Sequence, residues 1–277
     1  MDWVQSLSLP FMQHAIIAIL FAGIAFPMIG VFITSLNLVP LRFAMMHIAL
    51  LGGAIGLFLK VDPLLMGLLF CSVSSLALGP VSEKMKMGLG TLSGYLMTLT
   101  LALAFILFYK GNIHVIQAFD ILWGNILSLT RGDLLLVVGV SLFILSVVAL
   151  FFKEIQAILY DRDVALAVGL PAKGFYYLIV FILGLSIAVS MRMIGALLVD
   201  AFILLPAIAA TLISRSLKQV FLFSSLFGLI SGFLGLYLSF LLDLPTSSAI
   251  ILVASAIIGF CILVERRAWF RANVTSG

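Results

Sequence analysis

Apolar runs of about twenty residues recur from one end of this sequence to the other, and that is the length a helix needs to cross the hydrocarbon core of a bilayer. Nine segments qualify, at 11–34, 38–59, 63–80, 89–109, 133–152, 174–190, 193–213, 219–242 and 246–264. No water reaches that depth, so the backbone must satisfy its own hydrogen bonds and each segment is expected to be a helix. The fold class expected is all-α: a polytopic membrane helix bundle of about nine transmembrane spans, forming a single transmembrane domain over 1–277. Composition agrees, since 64% of the 277 residues are hydrophobic and only 9% are charged, against about 25% charged in a soluble domain. The 23 glycines suit packing in lipid, where small residues let helix backbones approach. The breaks between runs carry turn and cap residues: "KVDP" at 60–63, "GPVSEKMKMG" at 79–88, "TRGD" at 130–133 and "LDLP" at 242–245. The opening "MDWVQSLSLP" lacks a basic region and the next run is too long for a cleaved signal, so the first span is expected to be retained.

The net charge of +4 is no nucleic-acid signal, because the basic residues lie singly between apolar runs. They read as topology determinants in a lipid-embedded chain. With the 153–173 connection inside, the inner side holds Arg42, Lys84, Lys86, Lys153, Arg162, Lys173, Arg215, Lys218, Arg266, Arg267 and Arg271. The outer side keeps Lys60, Lys110, Arg131 and Arg192. Eleven against four places the N-terminus outside and the C-terminus in the cytoplasm.

Two connections are richer than plain loops. The segment 114–130 carries Ile116, Phe119, Ile121, Leu122, Ile126, Leu127 and Trp123, the composition of an interfacial or re-entrant helix on the outer side. The segment 153–173 mixes charge with small residues and ends on Gly169 and Pro171, a helix stop. A short helix there, at the cytoplasmic face, would be a natural docking element for another protein.

Several chemistries are absent. No G-x-x-x-x-G-K-[ST] phosphate loop, G-x-S-x-G or H-E-x-x-H occurs, so neither ATP binding in the usual way nor those hydrolytic sites are expected. Cys71 and Cys261 lie apart inside apolar runs and suggest neither a disulfide framework nor a thiolate metal site. Of eleven acidic residues, only Asp200 is well inside a span; of three histidines, only His47 is deep. From the segment starts, His47 lies about 14 Å in and Asp200 about 10 Å from the outer end, at ~1.5 Å rise per residue. A carboxylate at a helix centre costs at least ~2.5–3.5 kcal/mol, and it persists where it meets a polar path or a partner. Carboxylate plus imidazole is a ligand set for a divalent transition metal such as zinc or manganese. Two roles therefore fit Asp200: lining a cation path with His47, or pairing with an arginine or capping a broken helix near Pro206. His47 likewise fits either that path or a core position bonded to a neighbouring carbonyl. Pro206 removes a backbone donor and is expected to break the helix, a feature that often borders transport sites.

At this point the residues resemble a family. "MIGALLVDAFILLPAIAATLISRSL" at 193–217 is similar to a segment of the membrane subunits of metal-ion ABC importers, the zinc, manganese and iron permeases. "GVFITSLNLVPLRFAMMHIALLGGAIGL", "ILWGNILSLTRGDL", "YDRDVALAVGLP" and "GLYLSFLLDLPTSSAIILV" resemble four further segments of that family, in the same order. The resemblance implies a type II ABC importer permease fold, located as a multi-pass protein in the cytoplasmic membrane of a prokaryote. It implies a homodimer, two cytoplasmic ATP-binding subunits and an extracytoplasmic metal-binding protein as partners. It implies no permanently bound cofactor, the divalent metal ion, zinc or manganese, being the cargo, and no enzymatic site of the chain's own. The ATPase contact would fall on Tyr160, Asp161, Asp163, Ala165 and Gly169. Two positions depart from the family pattern: the aspartate often found four residues before the histidine is Phe43, and the serine often preceding it is Met46. In return Asp200 stands where the family usually has a small or hydroxyl residue. Either the carboxylate has moved to a facing helix or the cargo differs. Two other functions stay open on the residues alone: a similar permease carrying a metal chelate or corrin, and a stand-alone ion-coupled secondary carrier.

Overall fold

The computed structural model describes residues 8–113, 126–195 and 199–274, with the side chains of Arg192, Ile194, Asp200, Ala201 and 266–274 outside the description. Among the described residues there are eleven α-helices, one 3-10 turn and no strand. In chain order they are α1 Pro10–Ser35, α2 Val39–Leu59, α3 Pro63–Met85, α4 Leu89–Lys110, the 3-10 turn Ile126–Ser128, α5 Arg131–Leu150, α6 Phe152–Tyr160, α7 Arg162–Ala167, α8 Ala172–Ile194, α9 Val199–Ile213, α10 Leu217–Leu242 and α11 Thr246–Val274.

The helix starts follow from local chemistry. Prolines begin α1, α2 and α3, where the missing N–H costs nothing. Asp62 caps α3 by accepting from the Leu64 and Leu65 amides at 2.8 and 3.2 Å. Thr130 and Asp133 form a reciprocal capping box at α5, which satisfies donors that a helix start leaves orphaned. Ser216 caps α10 through the Gln219 amide. Lys60, Lys86 and Asp243 close α2, α3 and α10 in the left-handed conformation. The "KVDP", "TRGD" and "LDLP" stretches are these caps and stops.

Eight of the helices are long and apolar enough to cross a bilayer. Of the ninth expected span, 193–213, residues 196–198 lie outside the described residues; α8 continues to Ile194 and α9 is described from Val199. Helix α8 is capped by Gly195, whose φ of 91° lies in the region open mainly to glycine. Helix continues through Pro206, so the break expected there does not occur. Of the expected outer helix 114–130, residues 114–125 lie outside the described residues, and the remainder holds the 3-10 turn.

Two packing groups organise the bundle. One joins α2, α3 and α4; the other joins α1, α9, α10 and α11. Helix α8 packs mainly on α3, with further contact to α2 and α5, while α5 packs on α1, and together they bridge the groups. Close backbone approach explains the glycines at the seams. A side chain at Gly30 of α1 would collide with the Ile203 carbonyl of α9, and one at Gly52 of α2 would come within 2.7 Å of the Met66 carbonyl oxygen of α3. Ser225 of α10 donates to the Ile24 carbonyl of α1 at 2.7 Å, a polar tie inside an apolar bundle.

Candidate functional site

His47 stands two turns into α2, about 12 Å from its start at Val39. Most of α2 is buried against α3, α4 and α8. Its remaining open side carries exposed Pro40, Phe43 and half-buried His47, at spacings of three and four that share a helix face. The imidazole Nδ1 lies 2.7 Å from the Phe43 carbonyl oxygen, one turn back. A carbonyl can only accept, so Nδ1 carries the hydrogen. In the neutral ring that leaves a lone pair on Nε2. The same bond that satisfies the ring in the apolar bundle thus selects a tautomer with Nε2 free to accept, one of the two that metal-binding histidines use. Both sequence readings of His47 meet here: the ring is bonded to a neighbouring carbonyl, and its other nitrogen is an acceptor.

Asp200 is the second residue of α9; its side chain lies outside the described residues. Helices α2 and α9 share no packed interface within one chain, so the fold places His47 and Asp200 in different packing groups. Among the described residues no group of three or more His, Cys, Asp and Glu comes together. Pro206 is buried inside α9.

The 153–173 connection forms two short helices, α6 and α7, that meet at Asp161. Its backbone there is extended, and its carboxylate caps α7 by accepting from the Asp163 and Val164 amides at 2.8 and 3.1 Å. Ala165 is buried against Ile158 and Ala172, with Leu170 and Phe175 packed beside them. Gly169 closes the segment with φ 85°. Asp163 is exposed in the first turn of α7. Of the five residues expected at this contact, Asp161, Ala165 and Gly169 therefore shape the segment, while Tyr160 and Asp163 face outward.

Sequence reasoning missed the outward apolar set. Tyr160 is 89% exposed, and Val164 and Val168, four and eight residues on, are 56% and 70% exposed. That spacing of four was the available signal. It also missed what holds the segment from behind: Arg162 stacks on the Tyr176 ring of α8, 4.5 Å from its centroid, and Lys173 pairs with Glu83 of α3 at 3.3 Å.

The comparisons with known proteins agree with this architecture. The chain is 28% identical to the manganese transport system membrane protein MntC of Halalkalibacterium halodurans over 91% of its own length and 87% of that protein. It is 28% identical to the chelated iron transport system membrane protein YfeD of Yersinia pestis, over 88% of its length and 82% of the relative. A solved structure of PsaBC from Streptococcus pneumoniae in complex with Fab superposes with a TM-score of 0.81 at 27% identity, covering 93% of each chain. A family profile matches residues 8–265, nearly the whole described bundle. A membrane bundle with His47 on the open face of α2 and an apolar outward segment between α5 and α8 is thus matched along nearly its full extent, and the chain belongs to the ABC 3 transport family.

Proposed function

We propose that the chain is the permease subunit of an importer for a divalent transition metal ion, manganese or zinc, moved by alternating access and driven by separate ATPase subunits. The observation that carries this reading is His47: a half-buried imidazole on the one open face of α2, with Nδ1–H tied to the Phe43 carbonyl and the Nε2 lone pair left as an acceptor. A polar ring turned toward lipid is costly. A second copy of the chain packed over that face would remove the cost and enclose the ring in a path, and the homodimer follows from this. In the dimer Asp200, on α9, supplies the carboxylate that Phe43 does not. Tyr160, Asp161, Asp163, Val164, Ala165, Val168 and Gly169 form or shape the surface that receives the ATPase subunit in the cytoplasm, and a metal-loaded binding protein docks on the outer face. The names of relatives support the cargo: one transports manganese and another chelated iron. The second of these names is the observation that favours a metal chelate as the alternative cargo. Family membership leaves a stand-alone ion-coupled carrier without support.

The test is metal uptake by cells that co-express the chain, its ATPase and its binding protein, at equal membrane expression. The variants are His47→Ala and Asp200→Asn. Both are expected to lose manganese or zinc uptake and to keep their assembly. Normal uptake by both would overturn the site assignment and turn the reading toward a chelate.

A further inference from the structure

Helix α7 has six residues, too few to be stable alone, so any push it receives must pass through its contacts. Among the described residues it packs chiefly on α6 and α8. Two contacts reach α8: Ala165 against Ala172, and the Arg162 guanidinium on the Tyr176 ring. The first turns of α8 are in turn tied to the end of α3. Lys173 reaches Glu83 at 3.3 Å. One turn on, the Tyr177 ring lies against Gly79 so closely that a side chain there would collide with it, and its hydroxyl end lies beside Glu83. Lys173 and Tyr177 thus straddle Glu83, while Gly79 and Glu83, four apart, form the matching notch on α3. Beyond this junction, α8 runs to the Gly195 cap that precedes Asp200, and α3 backs α2, the helix of His47, through the Gly52–Met66 seam.

We propose that Arg162, Tyr176, Lys173, Tyr177 and Glu83 form a clamp that makes α7 move as one body with α8 and α3, so that displacement of the outward apolar segment is delivered to both helices that lead to the cargo path. This rests on the permease reading above for what does the pushing. The clamp residues are positioning residues and touch no cargo. Exposed ion pairs add little to stability, so the signature of the clamp lies in coupling rather than in unfolding temperature.

The experiment uses the full complex in proteoliposomes, with manganese flux and ATP hydrolysis measured together. Glu83→Lys and Lys173→Glu are each expected to lower metal moved per ATP by about three- to thirtyfold, the range that single coupling contacts carry, while hydrolysis continues. The double swap, which restores an opposite-charge pair, is expected to recover most of the ratio. Arg162→Ala should fall likewise, and Arg162→Lys and Tyr176→Phe should not, because each keeps a cation over a ring. An unchanged ratio in the single variants, or a double swap no better than the worse single, overturns the proposal. A second arm needs neither partner nor metal: amide exchange at 162–168 in the full chain in detergent. Faster exchange in Arg162→Ala, with Arg162→Lys like wild type, supports the clamp; unchanged exchange in Arg162→Ala overturns it. A wild-type complex that moves no metal would sink the permease reading, and the exchange arm then decides the clamp by itself.

Discussion

At the scale of single residues, the bundle is governed by where a side chain is forbidden. Gly30 sits where α1 and α9 touch backbone to backbone: a Cβ there would collide with the Ile203 carbonyl and stand 2.8 Å from the Ala207 Cβ. Gly139 on α5 is the opposite case, exposed and with nothing near its missing side chain. Gly30→Ala is therefore expected to destabilise by about 1–3 kcal/mol, the usual cost of overpacking. Gly139→Ala should be neutral or stabilise by up to ~1 kcal/mol through helix propensity. Thermal unfolding in detergent separates the two, and equal melting temperatures would mean that the α1–α9 seam opens without penalty. The sequence distinguishes neither glycine from the other, because both lie in apolar runs and only the neighbour's backbone decides. His47 was legible at this scale and its chemistry was not. Its depth follows from counting residues along α2, whereas the Nδ1–H bond to Phe43 that leaves Nε2 as an acceptor depends on a rotamer.

At the scale of elements, span length was written plainly, because a bilayer imposes it: eight of the nine expected runs are long apolar helices. Near the ninth, periodicity and hydropathy are indifferent to a single glycine with positive φ. Gly195 ends α8 at φ 91°, while Pro206, the louder signal, is accommodated inside α9. Prolines are tolerated in membrane helices where neighbours satisfy the freed backbone. The α6–α7 segment was legible as a short helical element from its charge and its Gly169–Pro171 stop. Its outward face was hidden because the helix changes at Asp161, so the apolar residues at 160, 164 and 168 do not belong to one helix. That face gives an element-scale prediction. Val164→Asp and Val168→Asp place charge on side chains that are already exposed, so the fold should be unaffected. An apolar contact that becomes buried on docking would lose roughly 1.5–3 kcal/mol per residue, or about ten- to a hundredfold in affinity for the ATPase subunit. Titration of the detergent-solubilised chain with that subunit measures it, and unchanged affinity would remove this segment from the interface.

At the scale of the whole molecule, the fold class and the number of crossings were open to sequence reasoning, while lateral neighbourhood was not. Depth along a helix says nothing about which helix lies beside it. His47 and Asp200 occupy different packing groups, with α8 and α5 bridging between them, and a second copy is what the permease reading uses to complete the path. Orientation is the remaining global property, and the bundle makes it testable. Eight helices are long and apolar enough to cross a bilayer; with the expected ninth span the two termini would lie on opposite sides. On the topology expected from the sequence, eleven of the fifteen Lys and Arg share the side of Lys84, Lys153 and Arg215, which the positive-inside rule assigns to the cytoplasm. Val61 and Leu244, at one end of the bundle, are exposed and outside the left-handed cap positions, as are Met85 and Tyr160 at the other. Single cysteines at these four sites, in a chain where buried Cys71 and Cys261 are replaced by alanine, should therefore keep the fold. A membrane-impermeant maleimide added to intact cells is expected to label the cysteines at 61 and 244, and those at 85 and 160 only after the membrane is opened. The reverse pattern would place the α6–α7 segment outside the cell. It could then meet no cytoplasmic ATPase, and the permease reading would lose its source of energy.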